Sequence, residues 1–531
     1  MYWLRRGGIV VCLLLIASFI AWFVPRMLDP TNHGPARQAR DILWVSSSPY
    51  WIDRQLCRWL SLCGLHHLRR DPAALPGFNF SSVAPDDKVW SELRKRYADP
   101  PSWEENTSAS RQDKKRNATE RRRVLKEVPD YVLRHAPLVH LYSGEQFWPS
   151  DIREHVQHME VIVDEELVNV TGDKLTLDNL DRLNKLEGVV TLHSLDDVET
   201  RPVWLHSHDN IPNPFDGDDD GDEGDGTLGG APPLHGERTS WFDVNKDRPL
   251  HRIADPRPRG YRAQQQQPMV SQTWQDARLQ RRGHKPDDDG YSRAPAVLVL
   301  VDKGSGVVDA FWFFFYSYNL GQTVLGIRFG NHVGDWEHCM VRFEHGVPRG
   351  IFFSEHEGGQ AYAWQAVEKR GERPVIYSAV GSHAMYATPG EHPYVLPFKM
   401  LKDVSDRGPL WDPALNNYAY HYDYKLEKHT QLDEEMVTTT TTTATGDEEK
   451  PPSLVPAASN PDAPTSWFHY DGYWGDRLYT LADDRQWRLF GQYHYVTGPT
   501  GPKFKLLNRA KMCQRVQCRI LYKLDPKGTW Y

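Results

Sequence analysis

The chain has 531 residues, with 63 basic and 71 acidic side chains, 19 tryptophans and an aromatic content of 12%. That length supports one large or two moderate cores, and the mildly negative balance gives no general attraction for nucleic acid, so no nucleic-acid partner is expected. The aromatic content fits a folded, sheet-rich body and excludes a predominantly disordered chain.

The run from Gly7 to Val24 carries no charge, follows Arg5 and Arg6, and stops at Pro25. Roughly 18 apolar residues just cross a bilayer core as a helix, and the two arginines favour a cytoplasmic N-terminus. Residues 1–25 are therefore expected to be a signal-anchor. The expected product is a single-pass membrane protein with a lumenal or extracellular body, partnered with the membrane through its N-terminal helix. Residues 26–123 read as a partly disordered, membrane-proximal stalk, because Glu104 to Arg123 is polar with little apolar periodicity. Cys57/Cys63 and Cys513/Cys518 are two close pairs, which suits local disulfides in an oxidising compartment; unpaired buried thiols are the alternative. Asn79, Asn106, Asn117 and Asn169 begin N-glycosylation acceptor patterns, informative if the body is lumenal.

Folded sequence begins near Val128, within a body spanning 124–531. Leu138 to Tyr142 reads as a short strand, and Ser150 can cap a helix that places Ile152, Val156 and Met159 on one face. A second helix starting near Asp178 would turn Leu180, Leu183 and Leu186 inward. Flexible insertions are expected at 209–233, 264–289 and 436–460. The first repeats Asp and Gly without the spacing of an EF-hand, and the last holds a threonine run. Between them, Ala296–Val301, Val307–Tyr318, Trp336–Phe343, Gly350–Ser354 and Pro374–Ala379 are apolar or aromatic runs of strand length without regular intervening helices. The fold class is mainly β: a β-sandwich-like body with a few peripheral helices and long disordered insertions.

The stretch N331-H-V-G-D-W-E-H-C-M-V-R-F343 crowds a strand's mouth with ionisable groups. Period two places Asp335, Glu337, Cys339, Val341 and Phe343 on one face and Trp336, His338, Met340 and Arg342 on the other. Two neighbouring carboxylates call for a cation, a proton or a basic partner. His332, Asp335 and Glu337 could converge on a divalent metal ion, for which the oxygen-rich set favours Mg or Ca over Zn. A structural ion-pair network and an acid/base centre are the competing readings. His356 and His383 end two further apolar runs and could join the same pocket. No P-loop, G-x-S-x-G elbow or H-E-x-x-H helix occurs in the required context, so no nucleotide cofactor is indicated, and both enzyme status and catalytic residues stay open.

Several longer motifs carry a resemblance. A136-P-L-V-H-L-Y-S-G-E-Q-F-W-P-S-D151, the 331–343 stretch, G381-S-H-A384, D403-V-S-D-R-G-P-L-W-D-P413 and Y473-W-G-D476 resemble the fungal Vps62 family, vacuolar protein sorting-associated proteins. The resemblance implies protein transport to the vacuole, with residence in the vacuole or secretory pathway, and names no cargo. N331-H-V-G-D-W-E337 also resembles the G-H-R-H-D-W-E heptapeptide of necrosis- and ethylene-inducing-like proteins, secreted β-sandwich cytolysins. On that resemblance His332, Asp335 and Glu337 match metal-site residues, Gly334 replaces the second histidine, and Asn319 stands where a metal-facing aspartate would be. It implies metal-assisted binding of a glycan or sphingolipid head group. A metal-dependent hydrolase and a metal-free structural sorting component are the alternatives.

Overall fold

The computed structural model describes residues 2–28, 35–69, 125–164, 166–168, 174–207, 284–356, 358–393, 401–427, 452–515 and 519–524. The expected sequons at Asn79, Asn106, Asn117 and Asn169, and the whole of the 209–233 insertion, lie outside these residues. The strands that position the site are, in chain order, β1 (Leu138–His140), β2 (Ala296–Gly304), β3 (Val307–Asn319), β4 (His332–Glu344), β5 (Val347–Glu355), β6 (Gly358–Ala363), β7 (Arg373–Ser378), β8 (Leu410–Trp411), β9 (Asn417–Tyr422), β10 (Leu454–Pro456) and β11 (Ile520–Leu521).

Eight of them form the central sheet, in the order β10-β9-β2-β3-β4-β5-β6-β11. Its middle is an antiparallel meander of β2 to β6, flanked by the parallel pair β9/β2 on one side and β6/β11 on the other. β3 is buried along Asp309–Asn319, with apolar side chains at both alternating sets of positions. A strand of this kind needs cover on both faces. Phe311, Phe313, Phe315, Trp336 and Met340 enter one core, while Trp312, Phe314, Tyr316, Cys339 and Val341 enter the other. The period-two face assignment of the 335–343 stretch therefore matches the register. A second sheet, containing β7, β1 and β8, covers the second face, giving the sandwich-like, mainly β body. Trp336 is a packing residue: it stacks on Trp467 at 5.9 Å and meets Trp474 edge-on at 5.4 Å.

Local elements differ from the sequence reading where a neighbouring interaction decides. The helix near Ser150 is short, Ile152–Gln157, and is capped by Asp151, whose carboxylate accepts from the Arg153 amide at 2.8 Å. Met159 begins a strand instead of closing the helix. The Leu180/Leu183/Leu186 spacing belongs to a 3-10 helix, Leu180–Lys185, in which residues three apart eclipse one another. Two ends of expected insertions are ordered: His284 and Asp287 are buried, and β10 pairs with β9.

The N-terminal reading needs correction. Residues Tyr2–Leu28 form one helix, yet among the described residues no helix is long and apolar enough to cross a membrane. A transmembrane helix, a signal-anchor, single-pass topology and partnership with the membrane through that helix are thus not supported. The next segment is not all stalk. Helices Pro35–Ser46 and Trp51–Leu60 bring Trp44, Val45 and Cys57 against Leu481, and Leu62–Cys63 pairs with Arg488–Leu489. Cys57 and Cys63 are joined by a disulfide; Cys513 is also disulfide-bonded, while Cys518 lies outside the described residues.

Candidate functional site: a closed carboxylate–imidazole cluster

The ends of β3, β4 and β5 meet the loop after β7, the short strand Lys402–Ser405 and the segment Glu145–Phe147. His383 sits at the centre. It lies in a tight turn with φ +55° and is fully buried, and its ring stacks on Tyr316 at 3.6 Å, nearly parallel. Nδ1 lies 2.9 Å from Asp335 Oδ2, while Nε2 lies 3.2 Å from the Phe147 carbonyl and 3.8 Å from Glu145 Oε1. Every one of these neighbours is an acceptor. Both ring nitrogens must therefore donate, which makes His383 an imidazolium. Burial opposes that charge, but Asp335 and Glu145 overcome it and push the pKa up to about 9. Glu145 is itself held by three backbone amides, those of Gln146, Phe147 and Gly381, at 2.8–3.0 Å.

A second pair adjoins the first. Asp403 is fully buried and accepts from His356 Nε2 at 2.7 Å, the Tyr386 hydroxyl at 2.7 Å, the Ser382 hydroxyl at 2.8 Å and the Gln322 amide at 3.0 Å. Burial would raise its pKa, but His356 and these donors hold it below the usual carboxylate range. His356 is correspondingly raised to about 9 by Asp403, against the pull of burial. Between the pairs, Glu337 accepts from the Ser354 hydroxyl. Burial and the adjacent Asp335 push its carboxyl up to about 7. Glu355 is 1% exposed, and neither of its oxygens has a hydrogen-bond partner. Burial, then Asp403 and Glu337, push it well above the usual range, which favours its neutral form.

The sequence-expected residues reach this corner but divide into separate pairs. His332 donates through Nδ1 to the Gly334 carbonyl at 2.6 Å, and burial lowers its pKa. Asn319 donates to the Gly330 carbonyl at 2.7 Å. Among the described residues, His332, Asp335 and Glu337 do not bring one ligand atom each within 4.8 Å of one another. A resident metal thus has no ready-made set of donors in these three. Gly334 has a physical reason: its φ is +69°, and a Cβ there would stand 2.3 Å from the Trp474 carbonyl oxygen. The backbone at this position excludes the second histidine of the cytolysin-like heptapeptide.

Sequence reasoning missed Glu145, Ser354 and Asp403 as members. Glu145 and Asp403 did lie inside motifs singled out for resemblance, but nothing in their spacing to residue 335 announces the contact.

A β-sandwich-like protein with a closed charge cluster at its strand ends is the class that this geometry defines. The chain belongs to the family of vacuolar protein sorting-associated protein 62. It is 34% identical to TDA6 of Saccharomyces cerevisiae over 74% of this chain and 69% of that protein. It is 32% identical to vacuolar protein sorting-associated protein 62 of the same yeast, over 77% and 73%. The family model for vacuolar protein sorting-associated protein 62 matches residues 304–395, a stretch that carries Asp335, Glu337, Glu355 and His383 but neither Glu145 nor Asp403. Among solved structures, the necrosis and ethylene inducing protein 2 from the agent of cocoa's witches' broom disease is 19% identical with a TM-score of 0.15, over 18% of this chain and 46% of that one. A structure described as a toxin fold as basis for microbial attack and plant defense gives 14%, 0.15, 28% and 59%. The match spans less than two thirds of either solved chain, and at these scores it carries no argument about fold or site.

Proposed function

We propose that this chain serves vacuolar protein sorting, at the vacuole or on the route to it, as a structural or binding component rather than a hydrolase. In this reading the cluster around His383 fixes the corner where the strands end. The observation that carries the reading is the matching of donors to acceptors: an imidazolium with acceptors on both ring nitrogens, and an Asp403 enclosed by four donors. Groups so satisfied are not poised to exchange protons with a substrate. Family relatives named for vacuolar protein sorting support the sorting role.

The rival reading is metal-assisted binding of a glycan or lipid head group, and Glu355 favours it, being a buried carboxyl without a partner beside Glu337 and Asp403. Calorimetric titration of Ca(II) and Mg(II) into wild type, Asp335→Asn and His332→Ala, with unfolding curves for each, decides between them. The structural reading expects no saturable heat and a less stable Asp335→Asn. Saturable binding that both substitutions weaken overturns it in favour of the metal, and metal-dependent product formation from a glycan or lipid would support the hydrolase.

A further inference from the structure

A second cluster lies on the other side of the Phe147–Pro149 segment. Glu154 projects from the short Ile152–Gln157 helix. His206 follows the Val203–Leu205 turn with φ +52°, and His284 is where described structure resumes after residue 207. One ligand atom from each comes within 4.8 Å of the others. His206 and His284 are 4% and 8% exposed, and their rings stack at 3.7 Å.

The hydrogen bonding here does not balance. His284 Nδ1 lies 3.1 Å from the Pro149 carbonyl, which can only accept, so Nδ1 carries the proton. In the neutral ring the other nitrogen is the acceptor. Its Nε2 is then a bare lone pair, 3.7 Å from Glu154 Oε2, which is also an acceptor. Two lone pairs facing each other, one on a buried ring and one on a partly exposed carboxylate, repel unless a donor or a positive ion sits between them. His206 Nε2 is 2.9 Å from the same oxygen, while its Nδ1 is buried with no partner.

We propose that Glu154, His206 and His284 bind a borderline transition-metal ion, Zn(II) foremost, leaving one coordination position open. The 2.9 and 3.7 Å separations bracket the ligand–ligand edge of roughly 3.3–3.5 Å that a tetrahedron with bonds of about 2.0–2.1 Å requires. Two imidazoles and one carboxylate are a donor set that suits zinc better than Ca or Mg. The Pro149 carbonyl supplies the outer hydrogen bond that fixes a ligating histidine's tautomer and aim. The ion would also join residues on either side of the 208–283 stretch. This site shares no side chain with the His383 cluster and does not rest on the proposed sorting role.

The test uses the purified full chain, stripped with chelator and titrated with Co(II) and Zn(II). Expected are one tightly held equivalent, visible Co(II) ligand-field bands of a four- or five-coordinate site, and displacement of Co(II) by Zn(II). Glu154→Gln, His206→Ala and His284→Gln should each weaken binding by about 100-fold or more, and His332→Ala should leave it unchanged. Circular dichroism of each variant in chelator separates loss of binding from loss of fold. Should a variant fail to fold, wild type still decides: Zn(II) must protect His206 and His284 from diethylpyrocarbonate, read by mass spectrometry. No stoichiometric binding, binding that survives all three substitutions, or no protection of these two histidines overturns the proposal.

Discussion

Two histidine–carboxylate clusters lie a few residues apart in this body, and they are built on opposite principles. Around His383 every carboxylate of the ion pairs meets a donor and every donor an acceptor, with Glu145 held by three amides and Asp403 by four side chains. Around Glu154 two acceptors face each other and one imidazole nitrogen has no partner. The difference teaches that the number of ionisable groups does not mark a ligand site. The ion pairs of the richer cluster are satisfied by the protein's own groups, and the sparser cluster leaves acceptors facing each other.

The comparison breaks most directly at His383. Replacing it with Leu leaves Asp335 and Glu145 buried without their cation and should cost about 3–5 kcal/mol, measured as a lower urea midpoint. A loss under about 1 kcal/mol would mean that the first cluster is not held together by its ion pairs.

The pH profile gives the next largest effect. His383 is raised from 6.5 to about 9, so the folded state holds a proton that the unfolded state releases between those values, and stability falls as pH rises from 6.5 through 9. Glu337, raised from 4.5 to about 7, acts in the same direction between those two values, because its neutral form is favoured by folding. The decline for His383 should be on the order of 3 kcal/mol. Unfolding free energies measured from pH 5 to 9 should slope downward in wild type and be flatter above pH 6.5 in His383→Gln.

Gly334→Ala should follow, at about 2–3 kcal/mol, because the new Cβ meets both a left-handed backbone and the Trp474 carbonyl. A thermal midpoint equal to wild type would show that the strand start can shift and admit a side chain. The smallest effect belongs to the second cluster without metal. In chelator, His284→Gln should change stability by about 1 kcal/mol, the worth of one hydrogen bond. With Zn(II) in excess, the gap between wild type and this variant should widen, read as a metal-dependent rise in the wild-type melting temperature alone.

The sheet was legible from the sequence because its strands carry period-two and continuous apolar runs, and the faces of residues 335–343 follow from that alone. His332, Asp335 and Glu337 were legible as a crowded strand end, and His356 and His383 as neighbours of it. Their partners were not, since Asp335 meets His383 across 48 residues and His383 meets Glu145 across more than 200, contacts fixed by sheet order rather than by local pattern. The Glu154, His206 and His284 group was hidden more deeply. His284 sits within a polar stretch that reads as insertion, and no spacing ties it to the short helix at residue 152. At the N-terminus, hydropathy spoke for a crossing helix that the described residues do not support, and the segment after it, unremarkable by composition, packs through Trp44 and Cys57 onto Leu481.

The Phe147–Pro149 segment reaches both clusters: the Phe147 carbonyl accepts from His383, and the Pro149 carbonyl accepts from His284. The Trp148 amide between them donates to the His206 carbonyl at 3.3 Å. Three consecutive residues thus act as a common strut, and displacing it loads both histidines at once. Whatever coupling free energy an occupant of the Glu154 side exerts through this strut on protonation of His383 must, by thermodynamic reciprocity, return as an equal effect of that proton on the occupant's affinity.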